Sequence, residues 1–584
     1  MENEFLIVSR SENGNINPDN LELVSSSENY DFYARQNSVE SFNHVRILID
    51  GYVLPRMDYF DAYKQYPQHA LINKLYKKHR DRFPQYIKGF FCIVIADGNN
   101  LLICNDIHSV KRCFIKEEIS GYYISNSLNI LRECFPFEIN PFAPAIQATF
   151  QHFILGSSVF KGIEYSLPAS LITISKEICQ DTYWNADELA NTSTEISDFS
   201  SFNSIFRRSV QDHLDYLNPK KISATLTGGR DTRSVLAALK SLNISPHCFT
   251  FGYPSGIDVS AAAKVAQATG VEHANHYIDP LDHREYNRLV TNIIHNNNPF
   301  IHIHRAHRLD AIIKEEEILG AIDMVFVGAM GGDYIMGESF NDYILTEFLR
   351  RYLTKSEDTD ALIKSILDKH YVRYSDQTIE FIKDYLKTLG LKPDIFNKSI
   401  EFKLVYNLIG CTHDIQDILL FMNHSQYVVA PFMDVDILEA LFRSRFSLFY
   451  NNRHTKNPFD RLKGGELQCR MIKEFTPELA NVNFANQYTP NDVLGNRYKY
   501  ITKRILHLLF KKQRKPTFTY DSWFCQYTND EVEMLSPQLA DFYDFDAMAD
   551  ALSSNQHPSH EGYWHKYSNP IMLSRYITQN LTSK

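Results

Sequence analysis

Residues 221–239, KISATLTGGRDTRSVLAAL, change from a strand pattern to a helix pattern across two adjacent glycines. KISATLT predicts a strand and Asp231 to Leu242 a helix. HCFTF then predicts a second strand, VSAAAKVAQAT a helix closed by Gly270, and MVFVG (324–328) a later strand. Because strands that alternate with helices form βαβ units, this part of the chain is predicted to fold as a doubly wound parallel sheet.

The glycine pair lies where such sheets bind ligands, at the carboxyl end of a strand. Gly228 and Gly229 allow the backbone to approach a ligand closely, and the helix that follows presents unpaired N–H groups, so an anion is the expected guest. The lysine of a Walker loop is absent. Asp231 beside a phosphate site indicates a divalent cation between the two. The alternative is an ordinary Gly-Gly turn in which Asp231 caps the helix.

A second loop repeats this arrangement. VFVGAMGGDYIMGES (325–339) places Gly331-Gly332-Asp333 after another predicted strand. Two glycine-lined turns that each carry an aspartate could face each other across a parallel sheet and share Mg²⁺ on a polyphosphate.

The chain before the sheet has a different pattern. Residues 46–174 are mainly strand-like, with helical stretches near 62–82 and 141–155, and Asp97-Gly98-Asn99-Asn100 separates two apolar runs as in a hairpin. This predicts an antiparallel first domain. A polar linker then leads into a helix at about 200–217, and residues 340–584 are mostly helical in pattern.

Charge and cysteine content exclude several classes of protein. The net charge of −10 does not favour nucleic acid, and the nine cysteines contain no CxxC pair, which argues against a zinc ribbon or a disulfide framework. The N-terminal sequence does not resemble a signal peptide, and no apolar run approaches the roughly 18 residues of a membrane span. We therefore expect a cytoplasmic protein.

The loops resemble a known family. TGGRDT (227–232) resembles the SGGxDS pyrophosphate loop of the asparagine synthetase-like, N-type ATP pyrophosphatases, FVGAMGGDYIMGE resembles their second acidic loop, and APFMDVDILEALF (430–442) resembles their PFLDxxxVE segment. IKGFFCIVIADGNNLLICND, GYYISNSLNIL and FKGIEYSLPASLITI resemble successive pieces of the family's glutaminase-like domain. The chain is identified as a member of this family.

The resemblance implies an α/β fold of two domains. Residues 1–185 would form an Ntn-hydrolase-like αββα sandwich. Residues 200–584 would form the ligase domain, a doubly wound parallel sheet of the PP-loop, adenine nucleotide α-hydrolase-like type with a helical C-terminal part.

The resemblance also implies a reaction. Members adenylate a carboxylate with ATP, release pyrophosphate, and pass the acyl group to ammonia or an amine. The expected cofactors are ATP and Mg²⁺. Carried over by position, Asp231 and Asp333 would hold Mg²⁺. The remaining ATP site would comprise Thr227, Gly228, Gly229, Arg230, Asp231, Thr232, Gly331 and Gly332 around pyrophosphate and Thr225, Phe251, Gly328 and Ala329 around adenosine.

The first domain departs from the family pattern. Relatives that hydrolyse glutamine expose an N-terminal cysteine, whereas residue 2 is Glu. Without that thiolate the sandwich is predicted to lack glutaminase activity. The nitrogen would come from free ammonia or from an amine on the substrate.

The general base is a second departure. Relatives place Glu, Tyr or His where Met330 stands, and methionine cannot accept a proton. His304, within the cluster His302, His304 and His307, and Tyr334 are the candidate replacements, with Glu338 a further one. The alternatives for the histidines are ordinary hydrogen bonding at a helix start and a metal site.

Cations complete the predicted site. Lys463 lies in a segment that resembles the one carrying the family's catalytic lysine. When the segments are aligned on Arg470, however, the position of the catalytic lysine falls on Glu466. The alternative is that Lys463 is an ordinary exposed lysine. Arg230 and Arg233 could pair with the triphosphate or with the substrate carboxylate.

One further segment is strongly basic. RYKYITKRILHLLFKKQRK (497–515) carries eight Lys or Arg, with Ile501, Ile505, Leu508 and Leu509 at helical spacing. It could contact an anionic membrane or a lipid-linked substrate, or it could be a solvated helix packed on its own core.

The sequence leaves three functions open. An amide-forming ligase for a small carboxylate is the main interpretation. A peptide macrolactam cyclase of the lasso type and an inactive nucleotide-binding scaffold are the alternatives.

Overall fold

The computed structural model describes residues 4–9, 21–27, 29–34, 38–119, 121–175, 177–189, 196, 198–337, 346–450, 458–495, 497–510, 520–532, 534–553 and 563–579. Antiparallel sheets come first, then a parallel sheet wrapped by helices, then helices alone.

Two six-stranded antiparallel sheets form the first part. The strands are β1 (Phe5–Ser9), β2 (Glu22–Ser26), β3 (Tyr30–Ala34), β4 (Val39–Phe42), β5 (Val45–Gly51), β6 (Leu54–Pro55), β7 (Ile87–Lys88), β8 (Phe91–Asp97), β9 (Asn100–Asn105), β10 (Phe114–Glu118), β11 (Gly121–Ser125), β12 (Ile163–Tyr165), β13 (Ser170–Ile174) and β14 (Ile178–Thr182). The helices are α1 (Phe60–Tyr63), α2 (Gln68–His79), α3 (Leu128–Cys134), α4 (Ala143–Phe150) and α5 (Ala186–Leu189). One sheet has the order β12-β10-β11-β1-β3-β2, the other β14-β13-β9-β8-β5-β4, and β6 pairs with β7.

Alternation along β1 explains the layers. Phe5 and Ile7 belong to the core between the sheets, whereas Leu6 and Val8 belong to the core that includes residues of α3 and α4. Helix α2 covers the outer face of the other sheet. Because side chains alternate between the faces of a strand, each sheet is covered on both sides. The predicted αββα sandwich is confirmed.

A five-stranded parallel sheet forms the second part. Its strands are β15 (Ile222–Thr225), β16 (His247–Gly252), β17 (His273–Tyr277), β18 (Ile322–Phe326) and β19 (Ser425–Val429). The order β17-β16-β15-β18-β19 reverses direction between β15 and β18. That reversal is a topological switch point, where the loops that follow two neighbouring strands diverge and leave a crevice. The predicted doubly wound sheet is confirmed.

Helices connect the strands and make up the C-terminal part. They are α6 (Phe199–Leu217), α7 (Asp231–Ser241), α8 (Ile257–Thr269), α9 (His283–Asn297), α10 (Ala306–Leu319), α11 (Gly331–Met336), α12 (Glu347–Thr354), α13 (Thr359–Lys369), α14 (Asp376–Thr388), α15 (Lys398–Leu404), α16 (Ile415–Met422), α17 (Val435–Phe442), α18 (Pro458–Phe475), α19 (Pro490–Leu494), α20 (Arg497–Phe510), α21 (Tyr520–Val532), α22 (Phe545–Ser553) and α23 (Tyr563–Gln579). A π-helix, Val405–His413, joins α15 to α16. Short 3₁₀ turns lie at Met57–Tyr59, Arg80–Tyr86, Asn298–Phe300, Ile303–Arg305, Pro431–Met433, Pro477–Asn481 and Pro537–Leu539.

A buried group of charges joins the sandwich to the sheet. Lys88 Nζ lies 3.2 Å from Asp434 and 3.0 Å from Asp436, with Asp212 at 3.9 Å. Arg56 binds Asp436 at 2.8 Å and Glu439 at 2.7 Å. We call these six residues the interface cluster. The segment 430–442, which the sequence relates to the family's PFLDxxxVE segment, thus supplies contacts between the two parts. The boundaries 1–185 and 200–584 stay a prediction.

Candidate active site

Two loops meet at the switch point, and they are the loops that the sequence singled out. The first loop, residues 226–230, follows β15. The second loop, residues 327–333, follows β18, and its last three residues open α11. Gly328 brings the loops together, because a Cβ on it would lie 2.5 Å from the backbone nitrogen of Thr232.

Hydrogen bonds within the first loop fix its shape. The N–H of Thr227 donates to Thr232 Oγ1 at 3.1 Å, and the N–H of Gly229 donates to Thr227 Oγ1 at 3.1 Å. Helix α7 begins directly afterwards, at Asp231. Since the first N–H groups of a helix have no partner within it, the loop and helix start form an environment suited to anions.

Gly228 is tightly enclosed. Its N–H donates to Asp258 Oδ1 at 3.2 Å. A Cβ on it would lie 2.7 Å from Ala485 Cβ and 2.8 Å from Asp258 Oδ1. A residue with a side chain would fit this position only if its neighbours moved. The Asp258 carboxylate also occupies the N–H of Gly228, which the sequence predicts to bind phosphate. Asp258, in the first turn of α8, was not among the predicted site residues.

Asp231 connects the first loop to the second. Its Oδ2 accepts a hydrogen bond from the N–H of Gly332 at 2.9 Å. A Cβ on Gly331 would lie 2.9 Å from Asp231 Oδ1, so this approach requires glycine. The side-chain amide of Gln468 also donates to Asp231 Oδ1. The predicted pairing of the two loops is thus seen directly at Asp231.

Gln468 lies in α18 and is fully buried. Gly465 lies in the same helix, and a Cβ on it would collide with the guanidinium of Arg230. Helix α18 therefore lines the first loop. Lys463 belongs to this helix, but its side chain lies outside the described residues, and its predicted role stays a prediction. A single glutamine has no recognisable sequence motif, so Gln468 could be identified only from the fold.

The two arginines of the first loop have different surroundings. Arg230 remains beside the loop, with Nη1 3.8 Å from Met336 Sδ. Arg233 is buried, donates to the carbonyls of Val482 at 2.8 Å and Asn483 at 2.9 Å, and lies over the Phe484 ring. The suggestion that Arg233 pairs with the triphosphate is thus corrected: it holds residues 482–485 against the first loop, where the N–H of Ala485 donates to the Gly228 carbonyl at 3.0 Å.

The positions predicted to meet adenosine lie along the strand ends. Thr225 ends β15, Phe251 is near the end of β16, and Gly328 and Ala329 follow β18. The Phe251 ring lies 6.1 Å from that of His307 and 5.5 Å from the guanidinium of Arg308. They therefore share one edge of the sheet.

Met330 has an unusual backbone. Its φ of +65° is in the left-handed region, and its N–H donates to Asp414 Oδ2 at 3.2 Å. Asp414 follows the π-helix and is half-buried. Burial and the neighbouring Asp417 raise the pKa of Asp414 to about 6, against the opposing effects of Arg305 and Arg308. A carboxylate that the sequence did not identify thus lies beside the backbone of residue 330, whose own side chain cannot act as a base.

Tyr334 is turned towards the sandwich. Its ring is fully buried, and its hydroxyl lies 2.9 Å from His108 Nε2. Burial raises the pKa of Tyr334 well above its usual value and lowers that of His108 to about 3. Both groups are neutral near pH 7, so this contact between the two parts argues for a positioning role rather than the predicted catalytic one.

The three histidines have different surroundings, although the rings of His302 and His304 lie 5.6 Å apart. His302 Nε2 lies 3.2 Å from His152 Nδ1, within the interface with the sandwich. His307 Nδ1 lies 2.7 Å from the carbonyl of His304, and burial together with Arg308 lowers the pKa of His307 to about 3. His304 is half-buried between them. Glu338 lies outside the described residues.

The carboxylates fit a magnesium ion. Mg²⁺ binds carboxylate and phosphate oxygens. Asp231 and Asp333 come from facing loops, and Asp333 is only 8% exposed. Within the described ranges, no three His, Cys, Asp or Glu side chains assemble a complete metal site. The assignment of Asp231 and Asp333 to a Mg²⁺ ion shared with the phosphates of a nucleotide stays a prediction, and the histidine alternative gains no support from the described residues.

Comparison with known proteins supports the identification of the first loop. The family model of asparagine synthase matches residues 201–303, which include the first loop, α7 and α8. The resemblance inferred from the sequence is confirmed over this segment. No curated protein gives a significant match.

Three solved structures are among those similar to parts of this chain. The allosteric regulatory enzyme of purine biosynthesis is 11% identical, with TM-score 0.21, over 49% of this chain and 63% of that one. Glutamine phosphoribosylpyrophosphate amidotransferase from B. subtilis, complexed with ADP and GMP, is 12% identical, with TM-score 0.21, over 56% of this chain and 75% of that one. NMN synthetase from Francisella tularensis is 14% identical, with TM-score 0.19, over 45% of this chain and 96% of that one. Scores this low carry no argument about function.

Among the helices of the described residues, none combines the length and the apolar character needed to cross a bilayer.

Proposed function

Starting from a chain whose residues 201–303 match asparagine synthase, we propose that it forms amide bonds by adenylating a carboxylate and passing the acyl group to an amine. The observation that carries this proposal is the position of Asp231, held between the two loops by Gly332 and Gln468. In this proposal the substrate is a carboxylic acid and the protein is cytoplasmic.

In the first step a substrate carboxylate oxygen attacks the α-phosphorus of ATP. An oxygen–phosphorus bond forms, the bond to the bridging oxygen breaks, and pyrophosphate leaves with the electron pair. The N–H groups of the first loop and the start of α7 would bind the departing phosphates. Asp231 and Asp333 would hold Mg²⁺, which supplies positive charge to the leaving group when bound.

In the second step the nitrogen of an amine attacks the acyl carbon, and AMP leaves. The amine nitrogen must lose a proton as the new bond forms. We assign this proton to Asp414. It is half-buried, its carboxylate accepts a hydrogen bond from the N–H of Met330 in the second loop, and its pKa of about 6 suits a base at neutral pH.

The other groups near this point are poorer bases. Tyr334 is buried against His108, and the pKa of His307 near 3 leaves its nitrogens weakly basic. Asp417, the carboxylate nearest to Asp414 along the chain, binds Arg305 and Arg308, which lower its pKa although burial opposes them. Asp414 is therefore the better acceptor of the two.

The nitrogen would come from ammonia or from the substrate itself. The hydrogen bond with Cys113, together with burial, raises the pKa of Cys92 well above its ordinary value. Burial does the same for Cys104 and raises the pKa of Cys134 to about 11. Buried, protonated thiols are poor nucleophiles. These three cysteines of the sandwich therefore do not support glutamine hydrolysis.

The test follows the full chain with ATP, Mg²⁺, ammonium and pooled carboxylates by ³¹P NMR. The pool includes peptides with an N-terminal amine and a side-chain carboxylate, because loss of one water from a peptide would identify a macrolactam cyclase. AMP and pyrophosphate should appear with the wild type and with Asp310→Ala, a control on α10, and not with Asp231→Ala.

Two results would contradict the proposal. Formation of ADP and phosphate would exclude adenylation. Failure to bind ATP with Mg²⁺ in calorimetry would remove the nucleotide site, whereas binding without turnover of any acid would favour the inactive scaffold.

A further inference from the structure

Helix α20 packs on the protein through its polar side. Lys503 Nζ lies 2.5 Å and Lys499 Nζ 3.5 Å from the carboxylate of Asp492, which is 4% exposed. The Tyr500 ring meets the Tyr488 ring edge-on, with centroids 4.8 Å apart. These contacts fix which face of the helix points inwards.

The opposite side of α20 carries exposed apolar side chains. Tyr498, Ile505 and Leu509 are separated by seven and four residues, so they lie along one face, and Leu506 flanks them. They are 76%, 50%, 72% and, for Leu506, 47% exposed. We call these four residues the outward row. The sequence predicted the apolar spacing, but not that the row would face away from the protein.

This orientation is the reverse of the usual one. A surface helix normally buries its apolar stripe and exposes its charges. Contiguous exposed apolar side chains on a soluble surface mark an interaction site. The interpretation of 497–515 as a helix packed on its own core by its apolar residues is thus corrected for the outward row; Leu508, also cited for that pattern, has its side chain outside the described residues.

We propose that the outward row inserts into the surface of an anionic lipid bilayer. Lys499 is 63% exposed and lies beside the row. Lys503 and Arg504 follow on the inward side, where Lys503 binds Asp492 and the Arg504 guanidinium lies 5.9 Å from the centre of the Tyr488 ring. Lys499, Lys503 and Arg504 thus place three positive charges around the single carboxylate of Asp492. The whole chain carries a net charge of −10, so a local group of cations is out of keeping with the rest of the surface. An anionic headgroup layer would balance the positive charge that Asp492 leaves uncompensated, while the acyl boundary accepts the apolar row.

A second copy of the chain fits this surface less well. A two-fold contact between two outward rows would bring the flanking cations of both copies together, and like charges repel at short range. A bilayer instead offers a flat, negative surface to one convex helix. The proposal is independent of the reaction at the switch point.

The test is cosedimentation of the full chain with vesicles of phosphatidylcholine, alone or with roughly a third phosphatidylglycerol. We expect binding to the anionic vesicles only, weakened by high salt. The double variant Ile505→Ser/Leu509→Ser should bind about tenfold more weakly, because it removes two inserting side chains. Lys499→Gln should weaken binding about fivefold. The matched control is Ile318→Ser on α10, where Ile318 is 57% exposed, and it should bind as the wild type does.

Several outcomes would overturn the proposal. They are absence of wild-type binding to anionic vesicles, equal binding by the double variant, and a concentration-dependent dimer in light scattering that the double variant abolishes. If the double variant loses its wild-type circular dichroism, Leu509→Cys carrying a polarity-sensitive dye decides instead. Its emission should shift to the blue with anionic vesicles, and no shift would refute insertion.

Discussion

Asp434 and Asp436 in the interface cluster face Lys88 and Arg56, whereas Asp231 and Asp258 at the switch point accept hydrogen bonds from backbone and amide N–H groups. The side chains are the same, but the surroundings differ. Although burial opposes them, Lys88 and Arg56 lower the pKa of Asp436 to about 2. Aspartates that the chain neutralises with its own cations serve the fold. We propose that aspartates beside loops suited to anions act on a ligand instead, a division that can be tested.

The largest expected effect is at Lys88. Lys88→Met would leave three buried carboxylates without their shared cation, which should reduce the free energy of unfolding by about 3–5 kcal/mol. Urea unfolding measures this, and pyrophosphate release per folded molecule should be unchanged. Lys387→Met, in an exposed pair with Asp384, is the matched control and should shift the midpoint little. A folded but inactive Lys88→Met would break the division, because it would give the interface cluster a part in the reaction.

The second-largest expected effect is that of a substitution at Asp414. Asp414→Asn should slow amide formation about a hundredfold, since it removes the base. ATP–pyrophosphate exchange, which reports adenylation alone, should keep its wild-type rate. Asp310→Asn is the control.

The pH dependence sharpens this prediction. A base must be deprotonated, so the contribution of Asp414 should rise with pH through about 6 and be absent from Asp414→Asn. The charges and titratable groups around it are Asp417, Arg305, Arg308 and Tyr334. Equal loss of exchange and amide formation would instead make Asp414 part of the adenylation site or of the fold.

The smallest effect concerns Asp212 in the interface cluster. Burial raises its pKa to about 6, although Lys88 and Arg208 act in the opposite direction. Because the folded-state pKa exceeds the unfolded value of about 4, this group contributes stability below pH 4 that is lost as pH rises through 6. Asp212→Asn should remove that loss, on the order of 1 kcal/mol at pH 7 relative to pH 4. Parallel stability curves for wild type and variant would contradict it.

Periodicity and local chemistry were enough for much of the fold. The alternation from β15 to β18 predicted the parallel sheet, and Gly228, Gly331 and the two aspartates predicted the two loops, because close approach and anion binding demand particular residues at those points. Gln468, Asp258 and Asp414 carry no such local signature. They reach the site from α18, α8 and the end of the π-helix, and their places depend on how these elements pack.

Orientation was the second limit. The spacing of apolar residues in α20 predicted that they share one face of the helix, but not whether that face points towards the protein or away from it. Contacts with Asp492 and Tyr488 on neighbouring segments determine this orientation. Likewise Tyr334 was predicted to act at the site, and its hydroxyl instead meets His108 of the sandwich. Patterns within one element cannot show which neighbour that element will have.

The N–H of Gly228 donates a hydrogen bond to Asp258, so a carboxylate of the chain itself would compete with phosphate for the first loop. A phosphate oxygen that takes this N–H must displace a tethered carboxylate that never diffuses away. Nucleotide binding is then an exchange of one anion for another, and its strength reflects a difference between two occupants. If the proposed function is correct, Asp258 would hold the loop near its binding conformation and would favour ligands whose phosphates bind more strongly than this carboxylate.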